Sequence, residues 1–490
     1  MTSGAVRRIL KAHAPTKVDP MLRILLLLSF LVSALPTQAR AQERDIVVTG
    51  GWLFTSTGND RIRNPGILIR AGKFLRVGGD LTIAAANAER VTLADTETVL
   101  PGFFDLHAHY AIELFGSGRK DETAAYPSLF IANGVTSTFP AGEMDPNVMR
   151  DLRVQIENGK AVGPRLLNSG PYFGTARPDW NRNITTQQIY DEVDKWAELG
   201  AKGFKAKGIT PDELRALIER AHFHGLTVTG HLDAGARNSV NPRDAILMGI
   251  DRIEHFMGGD AFTSDKSAYA SYEHMEFNTP EFKRISDLYK QEHTNFDATL
   301  SAYGYYGKKD PEVFAYFVEE KKFLTPYMRS VVDARPPRSV NQQFENIYWT
   351  KRKEVKAFYD AGGGDLITLG TDHPSWGEFF TPFSVHRELQ SLSLSGIPNA
   401  AVLRIATINS ARAMGLGDKL GTIEAGKWAD LVVVRGNPLT DIRRTRLPRV
   451  VIKAGRVYDP DALMKSVEGK IGPASAADTA AWAPTVRARR

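Results

Sequence analysis

The chain is 490 residues long and 42% hydrophobic, enough to bury a large core and more than one small domain requires. Of its net charge of +6, five units fall within residues 1–41, which hold six Lys or Arg against Asp19 alone, so the high pI does not indicate nucleic-acid binding. Cysteine is absent, which excludes disulfides and thiolate metal ligands.

In chain order, Met21-Leu22-Arg23, the apolar run 24–35 and Ala39-Arg40-Ala41 supply the charged, apolar and small-residue parts of a secretory signal. The run is short for a membrane span. Residues 1–41 are therefore read as a leader cleaved near Ala41, and the mature protein as periplasmic or secreted, without stable membrane insertion. Residues 1–20 are unlike an n-region, so both Met1 and Met21 stay open as the start.

Residues 42–99 read as short strands broken by Gly, Asn and Pro. The same texture returns over 416–465, in Leu431-Val432-Val433-Val434 and Val450-Val451-Ile452. Together the two stretches predict one small β-sandwich built from both ends of the mature chain. Between them, 100–415 alternates strand and helix patterns. Strand candidates fall at 103–107, 134–139, 165–169, 203–207, 227–231, 252–255, 295–300 and 366–371. A typical helix candidate is 211–224, with Leu214, Leu217, Ile218 and Ala221 on one face. Eight alternating units predict an α/β fold of the (β/α)8 TIM-barrel type, with functional groups at the C-terminal strand ends. The tail, 466–490, is expected to be disordered.

The predicted strand ends are unusually polar. Leu100-Pro101-Gly102-Phe103-Phe104-Asp105-Leu106-His107-Ala108-His109 closes on His-x-His, and residues i and i+2 of a strand share a face, so both imidazoles can serve one ion. Lys205 and Lys207 share a face of the fourth strand; His231, His255 and Asp372 end the fifth, sixth and eighth. Singly, each has a structural explanation in a hydrogen-bonded histidine or a helix cap. Gathered at one rim they form a set that a divalent cation would satisfy.

With these segments the chain resembles the amidohydrolase superfamily, on its prolidase-like, imidazolonepropionase-like and ochratoxinase-like side. The strand-one motif, Gly200-Ala201-Lys202-Gly203-Phe204-Lys205, Gly225-Leu226-Thr227-Val228-Thr229-Gly230-His231, Gly249-Ile250-Asp251-Arg252-Ile253-Glu254-His255 and Gly370-Thr371-Asp372 carry the resemblance, with Leu420-Gly421-Thr422-Ile423-Glu424-Ala425-Gly426 as the return into the small domain. It implies two divalent ions, zinc by expectation: His107, His109 and Asp372 on one, His231 and His255 on the other, and a carboxylated Lys205 bridging them, with Lys207 as the rival. It further implies a metal-dependent hydrolase that attacks an amide or peptide bond with metal-bound hydroxide, Asp372 serving as base and then acid.

The superfamily's deaminases place a Glu three residues beyond the strand-five histidine. Here the run is His231-Leu232-Asp233-Ala234, which argues against that branch. The expected substrate is a small N-acyl amino acid or dipeptide; a cyclic amide or lactone is the alternative, and a non-catalytic binding protein the competing class. Tyr110 at the cleft rim, Tyr172, Arg177 paired with a substrate carboxylate, and His373 are the candidate substrate contacts, with Trp376 beside them. The aromatic stretch from Tyr303 toward Trp349 is expected to cover the site. Neither nucleic-acid nor membrane partners are expected; a homo-oligomer stays open.

Overall fold

The computed structural model describes residues 44–487, apart from 80, 82–86, 117, 236–238, 264, 307–309, 316, 338, 374, 376 and 483–485. The leader and Trp376 thus lie outside the described residues. No helix among the described residues is long and apolar enough to cross a membrane.

Residues from both ends of the described chain meet in one sheet. The 13-residue strand Glu89–Pro101 pairs in parallel with Ile46–Leu53 and antiparallel with Leu431–Arg435. Around it the order runs Arg456–Tyr458, Pro448–Lys453, Leu431–Arg435, Glu89–Pro101, Ile46–Leu53, Ile67–Arg70, Lys73–Val77. With the short Ile62–Arg63 these strands form an eight-stranded mixed sheet. Its apolar residues, including Val48, Ile69, Phe74, Val99, Leu431 and Ile452, bury into a core of their own.

The middle of the chain is a mixed α/β arrangement of parallel strands. Phe103–Asp105, Val135–Thr138 and Arg165–Leu166 form one sheet, and Tyr172–Phe173, Gly203–Lys207, Thr227–His231, Arg252–Glu254, Asn295–Asp297 and Ile367–Thr368 form another. Single backbone hydrogen bonds link their edges, from Lys202 N–H to the Asn168 carbonyl and from Leu106 N–H to the Leu369 carbonyl, both 2.8 Å. The arrangement is consistent with a TIM-type barrel.

Local chemistry fixes the connections. Helix Pro211–Phe223 starts with a reciprocal capping box between Thr210 and Glu213, carries Pro at its first turn, and buries Leu214, Leu217, Ile218 and Ala221. Helix Thr186–Glu198 repeats the device with Thr185 and Gln188, burying Ile189, Val193 and Trp196. Gly102 turns the chain out of the eight-stranded sheet into the first parallel strand; a Cβ there would sit 2.2 Å from Thr136 Oγ1.

The tail departs from its expected disorder. Pro460–Val467 is helical, Ile471 is buried with its N–H bonded to the Phe323 carbonyl, and Val486–Arg487 pairs with Gly118–Asp121. Ile471 and the helix cap at Asp459 supply anchors that a composition rich in Ala, Pro and Arg conceals.

Candidate metal centre

Because the parallel strands run one way, their C-terminal ends share a rim. The register aligns Lys205 with Thr229, Thr229 with Arg252, and Glu254 with Asp297. The first and last strands are tied together directly. Buried Asp105 accepts from His107 N–H (3.1 Å), Thr371 N–H (3.1 Å) and Thr371 Oγ1 (2.8 Å), while Asp372 N–H donates to the His107 carbonyl (3.0 Å). Gly370 makes this approach possible, since a Cβ there would fall 2.0 Å from Asp297 Oδ2.

The imidazoles converge. Asp372 Oδ1 lies 2.8 Å from His109 Nε2 and 3.2 Å from His107 Nε2, and its Oδ2 is 3.7 Å from His255 Nε2. Ring centroids stand 5.1 Å apart for His107 and His109, 5.2 Å for His107 and His255, and 4.3 Å for His231 and His255. Among the described residues, two groups have donor atoms close enough together for one ion: His107, His109 and Asp372, and His107, Glu254 and His255. His231 adjoins His255 without belonging to either group. Buried His107 Nδ1, His231 Nδ1 and His255 Nε2 have no hydrogen-bond partner among the described residues. Burial holds His107, His231 and His255 well below the usual imidazole range. They are neutral, the form that offers a lone pair to a cation. Orphaned neutral nitrogens facing carboxylate oxygens fit a divalent ion.

Lys205 is buried, its Nζ against Glu254 Oε2. Burial first, then the charge of Lys207, keeps its amine well below the ordinary lysine value. Lys207 is half-buried and faces a separate cavity. Burial would raise Asp372, but the field of the His107 ring and hydrogen bonds with the His107 and His109 rings hold it well below the usual carboxylate range.

Backbone geometry points to the same place. His255 (φ 69°), Thr299 (φ 49°) and Asp372 (φ 41°) occupy the left-handed region, which non-glycine residues seldom adopt. Thr299 Oγ1 lies 2.7 Å from His255 Nδ1, and Lys351 Nζ donates to the His255 carbonyl.

The candidate substrate contacts fare differently. Tyr110 is buried away from any rim, its hydroxyl 3.1 Å from Thr138 Oγ1 and its ring on Phe130, because the chain after His109 turns inward. Arg177 bonds Glu192 through both terminal nitrogens (2.7 and 3.1 Å) and lies over Trp180. Tyr172 lines a cavity of about 450 Å³ next to Glu143 and Arg177. His373 is buried with its ring 4.5 Å from Tyr305. Tyr303 stacks on Phe344 and reaches both His255 and Tyr269, an aromatic wall beside the histidines.

Sequence reasoning gave no role to Glu254, Asp297, Thr299 or Lys351. The pair Glu254-His255 at a strand end was a readable signal. Lys351, inside helix Gln342–Phe358, had none.

Among known proteins, the Amidohydrolase family model matches residues 98–458. An enamidase of Eubacterium barkeri is 23% identical over 75% of this chain and 80% of its own length. A 5-methylthioadenosine/S-adenosylhomocysteine deaminase of Syntrophobacter fumaroxidans is 36% identical over 78 residues, 14% of this chain and only 18% of that relative's length. The solved structure of a Xaa-Pro dipeptidase with bound methionine superposes with a TM-score of 0.63 at 22% identity, covering 85% of this chain and 100% of that one.

Proposed function

The chain belongs to the amidohydrolase family and is a hydrolase acting on carbon–nitrogen bonds; on that premise we propose that it is a two-metal enzyme cleaving a small N-acyl amino acid or dipeptide. The observation that carries the reading is the convergence of His107, His109 and His255 on Asp372, with Lys205 buried against the same cluster. His107, His109 and Asp372 would hold one ion, and His231 and His255 the other, with Lys205 as a bridging carbamate. Zinc suits the nitrogen and oxygen donors. Bound ions supply Lewis acidity to the scissile carbonyl and lower the pKa of an attacking water.

The rest falls to the chain's own residues. Asp372 is ionised, so its carboxylate can take the proton of the attacking water and pass it to the leaving nitrogen. The neutral amine of Lys205 is the form that reacts with carbon dioxide. Thr299 and Lys351 fix the ring and the backbone of His255, and the wall of Tyr269, Tyr303 and Phe344 limits access of bulk water. The short match to deaminases does not change the reading, since Ala234 stands where that chemistry wants a Glu. Export is part of the proposal and rests on the leader sequence alone.

The test is a metal analysis with a hydrolysis screen of the metal-loaded protein over N-acyl amino acids, Xaa-Pro and Xaa-Arg dipeptides, cyclic amides and lactones. Two divalent ions per chain, turnover of an acyl amino acid or dipeptide, and loss of turnover on chelation are expected. Turnover confined to cyclic amides or lactones would replace the substrate assignment. A purified protein holding no divalent ion and hydrolysing nothing would favour a binding role.

A further inference from the structure

A cavity of about 440 Å³ opens beside the histidine cluster, at the ends of the strands Gly203–Lys207 and Thr227–His231. Its walls include Lys207, His231, Thr175, Ser239, Ile209 and Tyr269. We infer that this cavity receives the leaving half of the substrate and that Lys207 binds a free carboxylate there. The inference rests on the amide hydrolysis proposed above and narrows its substrate class. It selects N-acyl amino acids and dipeptides ending in a free α-carboxylate, and disfavours internal peptides, cyclic amides and lactones.

Lys207 and His231 are register partners on adjacent parallel strands, which lie about 4.8 Å apart. Lys207 shares its strand face with Lys205 but stands one step nearer the strand end, so its ammonium rises toward the cavity while Lys205 stays with the histidines. Among the described residues Lys207 meets no carboxylate within 4 Å and makes no side-chain hydrogen bond. The nearest acid in the lining, Asp233, is engaged elsewhere: its Oδ1 accepts from the N–H groups of Ala234 and Ala268. Arg119 adds positive potential felt by both Lys207 and His109. Arg177, which lines the neighbouring cavity, is bonded to Glu192. Asp372 acts on Lys207 only from beyond ion-pair distance. A half-buried cation with no carboxylate in direct contact among the described residues, facing a cavity large enough for an amino acid, calls for an anionic ligand.

The distance from the chemistry limits what that anion can be. The α-carboxylate of a leaving amino acid is two bonds from the scissile nitrogen. A carbonyl held at His231 therefore presents that carboxylate to Lys207, its register partner on the adjacent strand. Tyr269, Ile209 and Leu232 give the same cavity an apolar side suited to a large side chain.

The test compares N-acetyl-L-phenylalanine with its C-terminal amide on full-length, metal-loaded protein, reading dissociation constants by calorimetry and kcat/KM where turnover occurs. The wild type should favour the acid by about 10- to 100-fold, the effect of one charge-assisted contact of about 1.4–2.8 kcal/mol. Lys207→Gln should bring the ratio to near one with metal content unchanged, and Lys207→Arg should keep part of it. Equal handling of acid and amide by the wild type, no binding of either, or an equal loss on both in Lys207→Gln would overturn the inference. Loss of an ion from Lys207→Gln would overturn it too, by making Lys207 a metal ligand. A charge preference in binding that Lys207→Gln abolishes, without hydrolysis of either compound, would uphold the subsite while removing the amidase reading.

Discussion

Replacing Lys205 with alanine separates two roles that the same buried amine could have. As a mere counter-ion it neutralises Glu254, which is 1% exposed. Removing one member of a buried pair costs about 3–5 kcal/mol, because the other charge stays behind. Metal-free Lys205→Ala should therefore melt lower than metal-free wild type, and adding Glu254→Gln should recover most of the difference. As a bridge between ions, Lys205 must first be neutral to take up carbon dioxide. An ordinary lysine of pKa 10.5 is neutral in about one molecule in 3000 at pH 7, and each unit of depression raises that fraction tenfold. Under this role Lys205→Ala should lose at least one of two ions by elemental analysis. Its kcat/KM should fall by more than the roughly 10- to 100-fold typical of a residue that only supports a ligand. Propionate, small enough for the vacated space, should restore part of the second ion. A Lys205→Ala protein that keeps two tightly held ions and full kcat/KM would refute the bridging role.

Thr299→Val removes the hydroxyl 2.7 Å from His255 Nδ1 and should weaken metal affinity by about 10- to 100-fold in chelator competition, with little change in secondary structure; unchanged affinity would show that the backbone alone orients the ring. Burial raises the Asp121 carboxyl to about 7, far above its unfolded value, so the native state holds a proton that the unfolded chain has released. Its contribution to stability therefore falls as pH rises from about 4 to 7 and is level above that, amounting to about 3 kcal/mol between pH 5 and 8. Melting curves of wild type and Asp121→Asn should diverge over that interval, the wild type losing ground at higher pH; parallel curves would count against the shift.

Much of the site was legible because its chemistry is local. His107-x-His109, Lys205, His231, His255 and Asp372 each stand at the end of a short apolar run, and the runs pair in parallel in the order in which they occur. What the sequence concealed depends on distant partners. Arg177 looked free until Glu192, 15 residues on, took its guanidinium. Tyr110 looked like a rim residue until Phe130 and Thr138 packed around it. Glu254 was visible beside His255, but its contact with Lys205 depends on the register of Gly203–Lys207 against its neighbours. The terminal strands were recognised by composition, yet whether they form two sheets or one depends on the pairing of Glu89–Pro101 with both ends.

The tie made by Asp105 also says something about how the molecule must fold. Its carboxylate reaches Thr371 across 266 residues while also holding the His107 N–H, and the His107 carbonyl is met by Asp372 N–H. Closing so long a loop carries an entropic cost that the intervening strands and helices reduce as they form. A chain ending before Thr371 lacks the Asp372 carboxylate that meets the His107 and His109 rings. Binding at this cluster is selective for the completed fold, and an ion held there stabilises only the finished molecule.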